Sequence, residues 1–132
     1  LPVKDYDFII ERFKTPMPTM RGWIESRTSW DCLRLKKRAL SVDIVPLNEL
    51  IAVREYGREP SIESYLWQVP ISVQSVAYEI KSGKLIGEGI KDIEKRVIRI
   101  HNQERHEQRI SKLGEEFSLK NIAKKLILKA RN

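Results

Sequence analysis

The sequence contains a single cysteine, Cys32, and no apolar run long enough to span a lipid bilayer. One cysteine excludes an internal disulfide framework and a cysteine-based zinc site, and it is typical of a reducing cytoplasm. The amino terminus lacks the successive basic, apolar and small-residue regions of a signal peptide. These absences predict a cytoplasmic protein without a membrane partner, whose 132 residues suffice for one domain with a modest core. Cys32 itself lies in an apolar-alternating stretch, which favours a packed thiol over a nucleophile.

Acidic residues are too few to balance the basic ones, and the net charge is +7. The excess is concentrated in the last third, where residues 91–132 hold 12 Lys and Arg against 6 Asp and Glu. This surplus fits contact with a polyanion such as RNA, and it fits equally well a set of solvated helix faces. The candidate nucleic-acid contacts in this region are Lys120, Lys124, Lys125 and Lys129.

The first half of the chain has the residue pattern of β-strands. Alternating apolar residues predict a strand over residues 5–10. Two prolines within residues 15–19 predict a loop. Residues 32–45 predict a hairpin whose turn is Lys36-Lys37-Arg38, with Pro46 ending the second strand.

The second half has a mixture of helical and strand-like patterns. Residues 60–66 predict a short helix capped by Ser61, and residues 71–80 a strand that ends in a turn at 81–84. A helical turn over 90–94, a strand over 97–100 and two closing helices over 103–113 and 118–131 complete the pattern. His101 and His106 are expected at the surface. Strands first and helices last predict an α+β fold, with a small mixed or antiparallel sheet covered by helices.

Three aspartates form the strongest chemical pattern. Residues i and i+2 of a strand point to one face, so Asp5 and Asp7 place two carboxylates side by side. Such a pair repels unless a cation compensates it, and oxygen ligands of this kind suit Mg²⁺. Asp43 is an isolated acid in an apolar strand, where a charge is costly unless paired or solvated. Its pattern alone fits a third metal ligand and a solvent-facing residue of an edge strand equally well.

Several segments resemble, in the same order, the head domain of poly(A) polymerases and tRNA nucleotidyltransferases. Residues 4–8 (KDYDF) are similar to the KDxDF segment that opens the catalytic carboxylate set of that family, and residues 40–47 (LSVDIVPL) to its third-carboxylate strand. Residues 61–80 resemble the family's sleeDLxRRDFTINALAYDL region. Residues 83–99 then follow its tGxLIDPxGGxxDLxxxxIR pattern. The shared order is more specific than any single segment.

The resemblance implies a metal-dependent nucleotidyltransferase. Asp5 and Asp7 would hold two Mg²⁺ or Mn²⁺ ions, and Asp43 would hold the catalytic ion and help activate the acceptor. The enzyme would transfer a nucleoside monophosphate from a nucleoside triphosphate to a hydroxyl, preferably an RNA 3′ end, and release pyrophosphate. The residues expected to contact nucleotide or acceptor are Lys4, Arg34, Lys36, Arg38 and Gln74. Solvated surface is the alternative for the three residues that are predicted to alternate along the hairpin, Arg34, Lys36 and Arg38.

The chain also departs from the family pattern. The Gly-rich phosphate loop of the family lies just upstream of the first carboxylates, so we expect this element to be missing from a head-like (palm) domain over residues 1–100. Gln68-Val69-Pro70 replaces the nucleotide-contacting RRD triplet, and Gln74 stands where the family has Asn. Residues 101–132 are expected to form basic helices packed on the same domain. We therefore expect a divergent head domain, and we do not infer CCA addition.

Two other functions fit these departures. One is a non-catalytic nucleic-acid-binding module derived from the same fold, and the missing phosphate loop and altered triplet favour it. The other is a protein-modifying nucleotidyltransferase of the toxin–antitoxin type. The intact set of three aspartates favours an enzyme, because nucleic-acid binding alone does not require Asp43 within an apolar strand.

Overall fold

The computed structural model of the protein describes residues 4–14, 16 and 20–124. The described residues form a mixed α+β structure, which confirms the predicted fold class at this level. The strands are β1 (Asp5–Ile10), β2 (Ile24–Arg27), β3 (Leu33–Lys37), β4 (Leu40–Pro46), β5 (Ala77–Glu79) and β6 (Lys84–Ile86). The α-helices are α1 (Ile51–Arg54), α2 (Ile62–Gln68), α3 (Gly89–Glu94) and α4 (Gln103–Leu113). Short 3-10 helices cover Leu47–Glu49, Ser72–Gln74 and Glu115–Phe117.

The chain divides into two compact units, one up to Tyr65 and the other from Leu66 on. The first unit holds β1 to β4 and α1, and the second holds β5, β6, α3 and α4. Helices α1 and α2 therefore occur between two groups of strands, and not after all of them. The assignment of residues 1–100 to one head-like domain, with residues 101–132 packed on it, stays a prediction.

A four-stranded mixed sheet forms the first unit, in the order β1-β4-β3-β2. Strand β1 runs parallel to β4, while β3 is antiparallel to both β4 and β2. Register partners in neighbouring strands point to the same face, and successive residues of one strand alternate between faces. The register therefore fixes which side chains share a face.

The hairpin of β3 and β4 differs from the prediction at its turn. Lys36 and Lys37 belong to β3 and pair with Ser41 and Leu40, so the expected turn over Lys36-Lys37-Arg38 is wrong for the two lysines. Only Arg38 and the residue after it connect the strands, and Arg38 has a φ of 54°. A two-residue hairpin connection requires positive φ, and it lets both lysines keep their ladder hydrogen bonds.

The apolar core of the first unit lies on one face of this sheet and in the segment that follows it. Leu35 is 3% exposed and lies on the face opposite to Arg34, its neighbour in β3. Leu50 and Ala52, which follow β4, are 2% and 0% exposed. The other face of the sheet carries Asp5, Asp7, Asp43 and Arg34 together with the apolar residues Ile9 and Val45.

The second unit is built around Ile71, which is fully buried. The strand predicted over 71–80 is interrupted, since Ser72–Gln74 form a 3-10 helix before β5 begins. A Cβ on Gly87 would lie 2.2 Å from the carbonyl oxygen of Ser75, and one on Gly89 would lie 2.3 Å from that of Ser72. The bend of the 71–76 segment thus depends on close backbone approach, which only glycine permits.

Other predicted elements of the second half fare differently. The predicted strand over 97–100 is reduced to one bridge between Ile100 and Ile71. Helix α4 has the predicted bounds, and Asn102 caps it by accepting a hydrogen bond of 3.1 Å from the N–H of Arg105. The predicted cap of α2 is also confirmed, because the Ser61 hydroxyl accepts from the N–H of Ser64 at 3.1 Å.

The last predicted helix, over 118–131, is seen in part. Residues 119–124 are helical, and the remaining predicted positions lie outside the described residues. None of the described helices combines the length and apolar character that crossing a lipid bilayer requires.

Candidate functional site

Three carboxylates, those of Asp5, Asp7 and Asp43, share the face of the four-stranded sheet that is opposite to Leu35, and we call it the acidic face. Asp5 and Asp7 are two residues apart on β1, and Asp7 is the register partner of Asp43 on the parallel strand β4. Neighbouring strands lie about 4.8 Å apart, so the backbones that carry Asp7 and Asp43 are adjacent. The sheet thus brings together the three acids singled out in the sequence.

An arginine on β3, the strand on the other side of β4, lies beside these carboxylates. Arg34 on β3 is the register partner of Asp43, and its guanidinium donates two hydrogen bonds to that carboxylate. Nε lies 2.6 Å from Oδ1, and Nη2 lies 2.5 Å from Oδ2. The side chains of Arg34 and Asp43 are 35% and 15% exposed. Such two-pronged, charge-assisted pairing is among the stronger hydrogen-bond arrangements in proteins, and it occupies both oxygens of Asp43.

Among the three aspartates, Asp7 has a pKa that is raised by its surroundings. Partial burial of its carboxyl raises the pKa of Asp7, the charge of Asp43 raises it further, Arg34 lowers it, and Asp5 adds a smaller increase. The pKa of Arg34 is raised, chiefly by its hydrogen bonds to Asp43, with smaller contributions from the charges of Asp5 and Asp7. Arg34 is therefore the counter-ion of the whole acidic set, although it bonds only to Asp43.

Sequence reasoning missed Tyr65 and assigned Cys32 only a packing role. Burial raises the pKa of Tyr65 to about 12, and the negative charge of Asp7 contributes to this increase. Burial also raises the pKa of the Cys32 thiol, against a smaller lowering by its hydrogen bond with Thr28. Both groups therefore stay protonated at neutral pH, and Cys32 has none of the thiolate character of a nucleophile.

The other basic residues predicted in the first unit do not form one row. Lys36 lies on the acidic face, since it pairs with Ser41, which in turn pairs with Asp5. Lys4 precedes β1; its carbonyl accepts a hydrogen bond of 2.7 Å from the N–H of Ser41, and its side chain is exposed. Arg38 sits in the hairpin turn beyond β3, so the expected alternation of Arg34, Lys36 and Arg38 along one strand holds only for the first two.

The remaining predicted contacts belong to the second unit. Gln74 is exposed, and its side-chain oxygen accepts a hydrogen bond of 3.2 Å from Nη1 of Arg109. Lys120 and Lys124 are exposed on the helical residues 119–124. Lys125 and Lys129 lie outside the described residues.

Helix α4 buries charged residues that the sequence did not mark out. Arg105 and His106 are 6% and 4% exposed, so the surface position expected for His106 is wrong. Nε of Arg105 donates to the carbonyl oxygen of Gln68 at 3.4 Å, and its guanidinium also bonds to the side chain of Gln108. Burial, with a smaller effect of Arg105, lowers the pKa of Arg109. The two acceptors of these Arg105 hydrogen bonds, the carbonyl oxygen of Gln68 and the side chain of Gln108, are neutral.

The carboxylates of the first unit have the chemistry of a hard-cation site. Oxygen donors alone, with an excess of negative charge, suit Mg²⁺ or Mn²⁺. Among residues 4–14, 16 and 20–124, however, no group of three or more His, Cys, Asp or Glu side chains is placed to hold a metal ion. Arg34 bonds to both oxygens of Asp43, so an ion held by all three aspartates would have to share Asp43 with that guanidinium or displace it.

In comparisons with known proteins, no family model, curated protein or solved structure matches the chain. The likeness of its segments to the head domain of poly(A) polymerases and tRNA nucleotidyltransferases stays a prediction.

Proposed function

We propose that the protein is a metal-dependent nucleotidyltransferase, which transfers a nucleoside monophosphate from a nucleoside triphosphate to a hydroxyl and releases pyrophosphate. The observation that carries this proposal is the register of β1 and β4, which aligns Asp7 with Asp43 and leaves Asp5 on the same face. Two adjacent acids of one strand, aligned with a third on a parallel neighbour, are costly unless a cation belongs among them. The raised pKa of Asp7 is a sign of that cost.

Mg²⁺ or Mn²⁺ is the cofactor that this donor set fits. Asp5 and Asp7 would present their carboxylates to the ion, and Asp43 would join them once it is released from Arg34. When bound there, a divalent ion would supply Lewis-acid stabilisation of phosphate charge and lower the pKa of an acceptor hydroxyl.

The chain's own residues supply the remaining functions. In the proposed enzyme, Asp5, Asp7 and Asp43 would hold the ion, and Asp43 would help to activate the acceptor hydroxyl. Lys36 lies on the same face, two residues along β3 from Arg34, and its ammonium suits a phosphate of the triphosphate. Lys120 and Lys124 offer exposed positive charge to an RNA acceptor. An RNA 3′ end is therefore the acceptor that we propose.

One observation favours a second candidate, a nucleic-acid-binding module that performs no transfer. Arg34 neutralises Asp43 with two short hydrogen bonds. If the arginine stays bound there, it permanently takes the place of a metal ion. In that case the aspartates would stabilise the sheet, and the basic residues alone would contact RNA.

Labelled nucleotide transfer separates the two candidates. The purified protein is incubated with each of the four α-³²P-labelled nucleoside triphosphates, MgCl₂ or MnCl₂, and either a pool of RNAs or a pool of proteins. The variants are Asp5→Asn and Asp43→Asn, and the matched control is Asp31→Asn. Asp31 is exposed, lies outside the acidic face and has a φ of 65°, which asparagine adopts as readily as aspartate.

If the protein is a nucleotidyltransferase, RNA should become labelled only when the divalent ion is present. Transfer of label should fall by at least about a hundredfold in Asp5→Asn and Asp43→Asn, and it should equal that of wild type in Asp31→Asn. Circular dichroism of each variant shows whether it is folded. Label on protein instead of RNA would identify a protein-modifying enzyme. If no label is transferred while RNA binding is the same in all four proteins, the binding module is the correct function.

A further inference from the structure

We infer that Arg34 is a built-in competitor of the divalent ion: it occupies Asp43 in the ion-free protein and is displaced when the ion binds. This inference rests on the proposed function, because it concerns the same three aspartates. It assigns to Arg34 a regulatory position in place of the nucleotide contact expected from the sequence.

The geometry of the pair supports competition. Both oxygens of Asp43 accept hydrogen bonds from Arg34, at 2.6 and 2.5 Å, so the carboxylate has no oxygen free of the guanidinium. A guanidinium that bonds to both oxygens lies across the edge of the carboxylate at which an ion would bind both oxygens together. The arrangement seen here places a cation where the acids need one.

The position of Arg34 also permits its release. Its side chain is 35% exposed, so the guanidinium can turn into water without leaving a buried charge behind. Asp43 is only 15% exposed, and its charge needs a replacement cation when Arg34 leaves. A divalent ion shared with Asp5 and Asp7, which lie on the same face, is such a replacement.

Lys36 provides a matched control for charge. It lies on the same strand and the same face as Arg34, and it is exposed. Its register partner is Ser41, which in turn is the register partner of Asp5. Lys36→Gln removes one positive charge near the aspartates, as Arg34→Gln does, but it leaves the bonds to Asp43 intact. A general effect of net charge on ion affinity would therefore appear in both variants.

The first experiment measures the affinity for Mn²⁺ alone, from the electron paramagnetic resonance signal of the free ion, in wild type, Arg34→Gln, Lys36→Gln and Asp43→Asn. If the pair with Arg34 leaves about one molecule in ten competent to bind, its removal tightens binding by about tenfold. Lys36→Gln should tighten it by no more than about threefold, since an exposed charge is screened by water and salt. Asp43→Asn should lose most of the binding.

The second experiment follows the pair itself in the wild-type protein, so it does not depend on the folding of a variant. The Nε–H signal of Arg34 is observed by ¹H–¹⁵N NMR and assigned by its loss in Arg34→Lys. Addition of Mg²⁺ should shift this signal to the position of a water-exposed arginine and accelerate its exchange with water.

Three results would overturn the inference. Equal tightening in Arg34→Gln and Lys36→Gln would reduce it to a general charge effect. Weakening of about ten- to hundredfold in Arg34→Gln would make the arginine a support of the metal ligand. An Arg34 signal unchanged at saturating Mg²⁺ would show that the pair persists beside the ion. If wild type and Arg34→Gln both fail to bind Mn²⁺, the proposed metal-dependent function fails as well.

Discussion

The acidic face of the first unit and helix α4 of the second both withdraw charge from water, but they compensate it differently. On the sheet, the acidic face carries three carboxylates, and the partner of Asp43 is the side chain of Arg34, which is 35% exposed. On α4, Arg105 donates hydrogen bonds to the carbonyl oxygen of Gln68 and to the side-chain oxygen of Gln108, and both of these acceptors are neutral.

This difference separates an exchangeable charge from a fixed one. A side-chain counter-ion can be replaced by a dissolved cation, whereas a backbone carbonyl cannot leave its place in the fold. We therefore expect ions to affect the sheet face and to leave α4 unchanged. Three sets of substitutions test that distinction, and they are given from the largest expected effect to the smallest.

Arg105→Met should cause the largest loss of stability, about 2–4 kcal/mol, because it strips buried polar groups of a charged donor. Urea denaturation measures this loss, and Mg²⁺ should not change it. Lys95→Gln, an exposed site in the same unit, is the control and should alter stability by less than about 0.5 kcal/mol. An Arg105→Met protein as stable as wild type would mean that α4 does not depend on this charge.

Asp43→Asn should destabilise the protein by about 1–2 kcal/mol, less than a buried pair would, since Arg34 is 35% exposed. Arg34→Gln should cost a similar amount, and the double variant should cost less than the sum of the two. The double-mutant cycle measures this coupling, which we expect to be about 1 kcal/mol. Additive losses would show that the two hydrogen bonds contribute no mutual stability.

Asp7→Asn should have the smallest effect and the opposite sign. The folded-state pKa of Asp7 lies above its ordinary value of 3.8, so ionised Asp7 lowers stability. This loss of stability is absent below pH 3.8, grows as the pH rises through the raised pKa of Asp7, and reaches its full size at neutral pH. Because Asp7 is exposed as a residue, the gain in Asp7→Asn at pH 7 should be only on the order of 0.5 kcal/mol.

Denaturation of wild type and Asp7→Asn at several pH values between 4 and 7 measures this gain. The difference in free energy of unfolding should widen with rising pH, and Mg²⁺ should narrow it by stabilising only the wild type. A difference that shrinks as the pH rises would contradict the raised pKa of Asp7.

The sequence predicted the acidic face better than its partner. Period-two alternation was enough to place Asp5 and Asp7 together, because strand geometry alone decides which side chains share a face. The pairing of Arg34 with Asp43 depends on the hairpin register, and the register depends on the turn. With the turn assigned to Lys36-Lys37-Arg38, the partner of Asp43 could not be identified.

The second unit shows where local patterns fail. The alternation over 71–80 is typical of a strand, yet the chain bends at Ser72–Gln74, where it meets the backbone near Gly87 and Gly89. His106 has polar and charged neighbours in sequence, yet it is buried. Long-range packing decides both outcomes, whereas α4 was predicted with its bounds because its cap and its periodicity are local.

The parallel pairing of β1 with β4 also has a consequence for how the acidic face assembles during folding. Arg34 and Asp43 are nine residues apart and meet when a local hairpin closes. Asp7 is four times farther from Asp43 along the chain, and two doublings of loop length cost about 1.2 kcal/mol more in chain entropy. Closing the hairpin before β1 pairs with β4 is thus the order with the smaller initial cost in chain entropy, and in that order the repelling acids meet only after Asp43 has a counter-ion.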